Sequence, residues 1–191
     1  VYKQEEVKFV NWKIDLSKLK WHFKNNKKVS FINCEFIGKT NCMFFEGSNC
    51  IEYRNCKFKG FENRVFTAAG CIEVDIMNCQ FEECIYIAES SASSRYGGVY
   101  QIYEKGTTTS KDERKVMIQD CTFKECGMWH KRGSNYMDYI IGESSIRQYV
   151  SNTAFYNCLG YDTGSKYETA SKYMFNNLTL KDCVRTNSGN L

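Results

Sequence analysis

The sequence contains no proline, only two histidines, and no apolar run near the roughly 18 residues that a membrane-spanning helix needs. The histidines are His22 and His130, and the eleven cysteines do not fall into CxxC pairs. Zinc sites use closely spaced cysteine and histidine ligands, so this composition disfavours a zinc site. We therefore expect neither a metal nor another cofactor.

A concentrated basic stretch is also missing. The formal net charge is +4, and the Lys and Arg residues are spread along the chain. The longest basic cluster, KNNKK at 24–28, predicts a solvated turn. Nucleic-acid binding is disfavoured, because proteins that bind nucleic acid usually carry a basic stripe on one face. The sequence shows no signal-like apolar segment and begins at Val1, so we expect a processed chain or a fragment.

The most informative feature that is present is a short motif, Asn-Cys-x-Phe. It occurs at 33–36, 55–58 and 78–81, and a near copy at 120–123 has aspartate in place of asparagine. A single copy would carry no information, but a motif repeated at nearly fixed spacing indicates a solenoid. A chain of 191 residues suits one such short solenoid or one compact domain.

Alignment on the first residue of the motif, here called the anchor, adds three more copies. They are VKFVNWKI at 7–14, QYVSNTAF at 148–155 and YMFNNLTL at 173–180. Successive anchors are 22, 22, 23, 42, 32 and 25 residues apart, and the interval of 42 is either one coil plus an insertion or two coils with one copy eroded. The anchors, which we expect to stack as a structural ladder, are Asn11, Asn33, Asn55, Asn78, Asp120, Asn152 and Asn177.

Apolar residues within each copy occupy anchor −4 and −2 and then anchor +1 and +3. Each half alternates as a half-buried strand does, but the phase changes at the anchor. Both halves can face one core only if the chain bends there, and asparagine tolerates the left-handed backbone conformation that such a bend uses. Apolar segments at 43–47, 65–70 and 139–143 predict a third strand ahead of the next motif.

These patterns predict an all-β fold: a right-handed parallel β-helix solenoid of about 7–8 coils, each of about 22–25 residues, with two insertions. Coils would stack about 4.8 Å apart, so that equal positions lie above one another. Cys42 and Cys50 fall outside the expected columns and are either paired or exposed. The expected columns are asparagine side chains bonded along the stack, an interior phenylalanine stack (Phe36, Phe58, Phe81, Phe123, Phe155), and two columns of free thiols (Cys34, Cys56, Cys79, Cys121 and Cys84, Cys126, Cys158, Cys183).

On these motifs the chain resembles the pectate-lyase-like right-handed parallel β-helix superfamily. More narrowly, it resembles the NCxF-rich repeat proteins among predicted surface and adhesin-like β-helix proteins. The resemblance extends over about residues 7–183. It implies the fold and leaves the activity open, because one fold carries many functions.

The resemblance also implies which catalytic signatures to look for, and they are missing. The NTD, DD, GHG and RIK motifs of polygalacturonase-type hydrolases do not occur, and SIRQ at 145–148 is not RIK. Aspartate, which pectate lyases use to hold calcium, is scarce, and Asp120 and Asp182 are predicted to be structural. We expect no pair of carboxylates at matched positions of adjacent coils, which disfavours acid/base glycosidase chemistry.

Two irregular segments are the best places for a binding site, since function on solenoids tends to lie on insertions. They cover 88–115 and 127–139, and they flank the coil that holds Asp120. Aromatic rings beside charged groups suit a sugar or a peptide. The candidate binding residues are Arg95, Tyr96, Tyr100, Trp129, His130, Arg132, Tyr136 and Asp138.

The predicted organisation is a single β-helix domain over 1–191, with regular coils at about 7–87 and 116–126 and degenerate coils at 140–185. The predicted function is a non-catalytic surface or adhesin-like module that binds a glycan or a protein partner through its side face. Two alternatives remain: a polysaccharide lyase or hydrolase-type enzyme, and a structural component of a filament or larger assembly. We expect a cell-surface or secreted location. An intracellular assembly stays open because the thiols look unpaired and no signal is visible.

Overall fold

The structure, a computed structural model, describes residues 5–40, 42–88, 99–103, 115–130, 142–144, 147–158 and 173–183. These residues form nineteen β-strands and no helix, so none of them lies in a helix that could cross a membrane. Numbered in chain order, the strands are β1 (Glu6–Val10), β2 (Lys13–Asp15), β3 (Trp21–Lys24), β4 (Lys28–Ile32), β5 (Glu35–Ile37), β6 (Met43–Glu46), β7 (Cys50–Arg54), β8 (Lys57–Lys59), β9 (Phe66–Ala69), β10 (Glu73–Met77), β11 (Gln80–Glu82), β12 (Ile85–Ala88), β13 (Tyr100–Tyr103), β14 (Lys115–Gln119), β15 (Thr122–Lys124), β16 (Gly127–His130), β17 (Gly142–Ser144), β18 (Arg147–Tyr156) and β19 (Tyr173–Lys181).

Strands pair with the equivalent strand of the neighbouring repeat, and all sixteen pairings between described strands are parallel. The preceding row, which leads into the anchors, has the order β1-β4-β7-β10-β14. The following row, which leaves the anchors, has the order β2-β5-β8-β11-β15. Strands β18 and β19 pair across both, and this joins the two rows into one sheet. The third row has the order β3-β6-β9-β13-β17, and β12 pairs with β16 alone.

Each of the seven anchors bends the chain with a positive φ, between 48° and 61°. The prediction of a left-handed corner at these positions is therefore confirmed. Two further corners use the same conformation. One, five residues after the anchor, carries Gly60, Glu83, Glu125, Asn157 and Asp182, and the other carries Asn25, Gly47 and Gly70. Polar residues and glycine are the types that adopt this conformation at the least cost.

The bend at the anchor turns both halves of the motif toward one core, as the phase change predicted. In the second repeat, Val29, Phe31, Cys34 and Phe36 are all buried, although Asn33 between them is exposed. The predicted phenylalanine stack is present. Neighbouring rings from Phe36 to Phe155 have centroids 4.6–5.0 Å apart and lie within 10° of parallel. Offset stacking of this kind adds to the free energy that burial of the rings already supplies.

The interval of 42 residues is one repeat plus an insertion. Strand β10 pairs directly with β14, and the Asn78 N–H donates to the Gln119 carbonyl at 2.9 Å. No eroded repeat lies between them in this row. Part of the inserted segment rejoins the fold, because β13 takes the next place in the third row beside β9.

The eleven thiols are all free. Eight of them form the two predicted columns, and in each column the Sγ atoms donate to main-chain carbonyls of the same and the neighbouring repeat. Cys56, for example, reaches the carbonyls of Phe31 and Arg54, both at 3.3 Å. Cys42 and Cys50, left open by the sequence, are unpaired and half-buried. Each column thiol thus serves as a small apolar group with a weak donor.

The anchor side chains form the predicted ladder, with one interruption. In the first part of the ladder the Nδ2 of an asparagine donates to the Oδ1 of the preceding anchor, at 3.2 Å from Asn33, 3.1 Å from Asn55 and 2.8 Å from Asn78. Asn177 donates to Asn152 in the same direction at 2.8 Å. Asp120 has no Nδ2, and within the described residues no side-chain hydrogen bond joins it to the anchor on either side. The ladder is therefore split in two.

Replacement of Asp120 by asparagine is expected to restore the ladder step between positions 78 and 120. Asp120→Asn supplies the missing donor to Asn78, so the free energy of unfolding should rise by about 0.5–1 kcal/mol, the value of one exposed hydrogen bond. Urea unfolding measures the change. The matched control is Asn33→Asp, which removes a donor from the intact part and should lower stability. Asp120→Asn without a gain would contradict the ladder's energetic role.

Candidate functional site

The residues that the sequence singled out for binding fall mostly outside the described part of the chain. Arg95, Tyr96, Arg132, Tyr136 and Asp138 all lie there. Trp129 and His130 belong to β16, where they pair in register with Ile87 and Ala88 of β12. Their side chains are not among those described, so the predicted binding group as a whole stays a prediction.

Tyr100 is the one predicted binding residue whose side chain is described. It lies in the third row and is fully buried. Its ring stacks on Phe66 with centroids 5.3 Å apart, and its hydroxyl donates to the Gln148 side-chain oxygen. In this arrangement Tyr100 belongs to the core, because a fully buried ring offers no surface to a ligand.

The solvent side of the preceding row carries a cluster of charged residues that the sequence reasoning missed. Glu52 of β7 pairs in register with Asp75 of β10, and Cys50 pairs with Glu73. The expectation that no carboxylates occupy matched positions of adjacent repeats is therefore wrong. Both carboxylates stand three residues before their anchors. The sequence signal for this pair is an acidic residue at anchor −3 in two successive copies, a position between the apolar residues at anchor −4 and −2.

Glu52 is held by three donors and is only 6% exposed. Its Oε2 accepts from Lys28 Nζ at 2.9 Å and from Ser30 Oγ at 3.0 Å, and its Oε1 accepts from Arg54 Nε. Burial by itself would raise the pKa of Glu52, but the donors from Lys28, Arg54 and Ser30 outweigh it and lower the pKa to about 2. Glu52 is a permanently ionised structural group at neutral pH.

Asp75 has the opposite environment. Burial and then the neighbouring Glu73 raise its pKa, and Lys115 only partly offsets them. Lys115 forms an ion pair with Glu73 instead, since its Nζ lies 2.7 Å from Glu73 Oε1. Among the described residues, no cation lies within ion-pair distance of Asp75. The face therefore contains one carboxylate whose charge is compensated by donors, Glu52, and one whose charge is not, Asp75.

A groove of about 430 Å³ crosses the solvent side of the following row. Strands β5, β8, β11 and β15 form its base. Because these strands pair in register, the repeats of β8, β11 and β15 each contribute one residue from anchor +2 and one from anchor +4, and the repeat of β5 contributes Glu35 from anchor +2. The polar lining consists of Glu35, Lys57, Lys59, Gln80, Glu82, Thr122 and Lys124.

One side of the groove is a chain of ion pairs, and the other side carries exposed polar side chains. Glu82 lies between two lysines, 3.2 Å from Lys59 Nζ and 3.6 Å from Lys124 Nζ. Opposite them, Lys57 and Gln80 are exposed neighbours in register. No acid among the described residues lies within ion-pair distance of Lys57. The groove thus presents an ammonium and an amide beside a wall of lysines paired with glutamate.

Within the described residues, no three His, Cys, Asp or Glu side chains are grouped so that they could hold a metal ion. Comparison of the chain with protein-family models, with curated proteins and with solved structures finds no match in any of the three. The function must therefore be inferred from the side chains and their arrangement.

Replacement of Glu52 by glutamine is expected to destabilise the protein in a pH-dependent way. The pKa of Glu52 is lowered from its ordinary 4.5 to about 2, so its contribution is complete above pH 4.5 and is lost as the pH falls toward 2. At pH 7, Glu52→Gln should cost about 1.5–3 kcal/mol, the range for hydrogen bonds to a charged group. Urea unfolding at several pH values tests this.

The control for that substitution is Glu35→Gln, because Glu35 is half-exposed and its pair with Lys13 spans 3.6 Å. An exposed pair of this kind contributes less than about 1 kcal/mol. Equal losses in the two variants, or a Glu52→Gln loss that does not shrink in acid, would contradict the network described here.

Replacement of Asp75 by asparagine is expected to stabilise the protein at neutral pH. Its pKa is raised in the folded state, so ionised Asp75 lowers stability at neutral pH and ceases to do so below its ordinary pKa of 3.8. Asp75→Asn should therefore raise the free energy of unfolding at pH 7 by up to about 1 kcal/mol. The gain should disappear below pH 3.8, and thermal unfolding at both pH values measures it. A loss of stability at pH 7 would show that Asp75 is well paired.

Proposed function

We propose that the chain is a right-handed parallel β-helix, similar to the surface and adhesin-like repeat proteins, and that it binds an extended glycan without cleaving it. The parallel register of every row, advancing by one repeat at each step, supports the helical winding. Right-handed winding is the ordinary hand for connections between parallel strands of one sheet. A cell-surface or secreted location fits a glycan-binding module.

The groove on the following row is the observation that carries this proposal. It runs across four neighbouring strands, so a polymer lying along it meets the side chains of a new strand about every 4.8 Å. Lys57, Gln80 and Thr122 offer hydrogen-bond donors and acceptors for hydroxyl groups, and the ammonium of Lys57 offers a partner for a sugar carboxylate. Alternation of lysine with glutamate disfavours a nucleic-acid backbone, which prefers uninterrupted positive charge.

The enzyme alternative has one observation in its favour, the matched carboxylates Glu52 and Asp75. Their environments differ, as those of an acid and a base do. However, a carboxylate with a pKa of about 2 is a weak base at neutral pH, and Glu52 is 6% exposed with its oxygens occupied by three donors. The pair therefore supports catalysis less well than the groove supports binding.

The test measures retention and product formation together. The chain is passed over immobilised polygalacturonate and over a neutral glucan, with and without calcium, and reducing ends are counted in the eluate. We expect retention on the acidic polymer, weaker at high salt because exposed charges are screened, and no new reducing ends. New reducing ends would overturn the non-catalytic assignment. Failure to bind either polymer would overturn the proposal that the ligand is a glycan.

Substitution in the groove should weaken that retention. Lys57→Ala combined with Gln80→Ala removes the ammonium that would pair with a sugar carboxylate and one amide that would bond a sugar hydroxyl. Each is worth about 1 kcal/mol, so the dissociation constant should rise about tenfold or more. The control is Lys8→Ala, which makes the same change of charge on the exposed side of β1. Titration with oligogalacturonate measures both. Equal weakening in the two variants would mean that net charge, and not the groove, governs binding.

A further inference from the structure

The solvent side of the preceding row carries a small patch whose members come from three neighbouring strands, β10, β14 and β18. Successive side chains of a strand lie on opposite faces of the sheet. Val74 and Val116, which pair in register, are fully buried in the core. The residues that follow them therefore point away from the core. The patch, here called the Asp75 patch, consists of Asp75, Met77, Met117 and Tyr149.

Most of the Asp75 patch is apolar. Met77, Met117 and Tyr149 are each half-buried, and all three lie outside the hydrophobic core. Met117 of β14 lies beside Asp75 of β10, and Tyr149 of β18 lies beside Met117. Neighbouring strands are about 4.8 Å apart, so the tyrosine ring follows the carboxylate within about 10 Å. The patch thus combines one acid with an apolar strip that begins beside it.

The acid at the edge of the strip has no counter-ion among the residues that the structure describes. The two nearest candidates are engaged, since Lys115 pairs with Glu73 at 2.7 Å and Arg54 pairs with Glu52. No described residue donates a hydrogen bond to either oxygen of Asp75. Burial and then Glu73 raise the pKa of Asp75, as expected for a carboxylate that gains no donor. A cation supplied by another molecule would therefore compensate this charge.

An arginine side chain matches both parts of the patch. Its guanidinium donates two parallel hydrogen bonds to one carboxylate, and it also stacks on aromatic rings. Its aliphatic stem covers apolar surface while the charged head stays with its partner. Methionine adapts to such a stem because its side chain is flexible and unbranched. A guanidinium at Asp75 would place its stem on Met117 and bring the residues next to the arginine over Met77 and Tyr149.

Other charged ligands match the patch less well. A calcium ion takes about six to eight oxygen ligands, and Asp75 is the one carboxylate of the patch. An acidic polymer, the ligand proposed for the groove, would be repelled by Asp75 and by the neighbouring Glu73. The anchor bends separate this patch on the preceding row from the groove on the following row. The two surfaces therefore suit ligands of opposite charge.

We propose that the Asp75 patch binds an arginine side chain of a protein partner, with the guanidinium on Asp75 and the partner's adjacent apolar residues on Met77, Met117 and Tyr149. Charge complementarity selects the cation, and the apolar strip selects a partner whose residues beside the arginine are apolar. A lysine is expected to bind more weakly, because its ammonium is a compact point charge without the planar fork. The inference is independent of glycan binding in the groove.

The test uses a peptide probe and the methyl signals of methionine. The probe is an acetylated tripeptide amide of leucine, arginine and leucine. Its matched partner carries citrulline, which has the shape of arginine without the charge. The chain has six methionines, and Met43, fully buried in the third row, serves as an internal reference. NMR of selectively labelled methionine methyl groups follows both titrations, and Met77→Leu and Met117→Leu assign the two signals of the patch.

The arginine peptide should shift the Met77 and Met117 signals in a saturable way and leave Met43 unchanged. The citrulline peptide should bind at least about tenfold more weakly, because it lacks the charge that strengthens hydrogen bonds to a carboxylate. Asp75→Asn should weaken binding of the arginine peptide by the same factor, so that the two peptides bind alike. Met117→Gln removes apolar contact only, and it should weaken both peptides equally.

The matched control is Glu6→Gln, which removes one exposed negative charge from the same row, three strands away from β10. This variant should bind the arginine peptide as the wild type does. Thermal unfolding checks that Asp75→Asn folds. Its binding of oligogalacturonate should equal that of the wild type, which separates this patch from the groove. Equal binding of the two peptides by the wild type, shifts that leave out Met77 and Met117, or no saturable shift at millimolar peptide would each overturn the proposal.

Discussion

The left-handed backbone conformation at the anchor residue is the constraint on which the rest of this structure depends. At Asn33 the φ angle is 54°, and the bend turns two short strands with opposite side-chain phase toward one core. Without the bend, one half of each motif would face solvent. Because the same bend recurs once per repeat, every position lies beside its own copy in the neighbouring strand, and the sequence becomes a set of columns.

Because equal positions stack in columns, a few residue types are enough to build the core. A phenyl ring stacked on a phenyl ring, or a thiol above a thiol, reproduces one favourable contact at each step. A change of residue at one position of a column interrupts the contact that the column repeats. Asp120 keeps the backbone bend but lacks the amide donor, so the fold continues while the side-chain ladder stops. The bend and the ladder are therefore separate contributions of asparagine, and only the bend is required for the fold.

The outward-facing positions are less constrained by packing than the core positions, so their residues differ more from one repeat to the next. On the preceding row, Glu52 is matched by three donors, whereas Asp75 one repeat away is disfavoured in its charged form. On the following row, lysine and glutamate alternate around a groove. The side faces are therefore the parts of the molecule in which neighbouring repeats differ most.

The sequence by itself determined the strand–corner–strand unit, the positions of the seven bends, the inward columns and the free thiols. These follow from local rules, since residues that alternate in phase around an asparagine have one way to bury both halves. It did not determine whether the 42-residue interval held one repeat or two, because only the pairing of β10 with β14 decides that. It did not reveal that Tyr100 would face inward, or that Glu52 and Asp75 would be neighbours held in opposite charge environments. Those features depend on which residues the stacking brings together across repeats, and long-range contacts of that kind are decided by the tertiary structure.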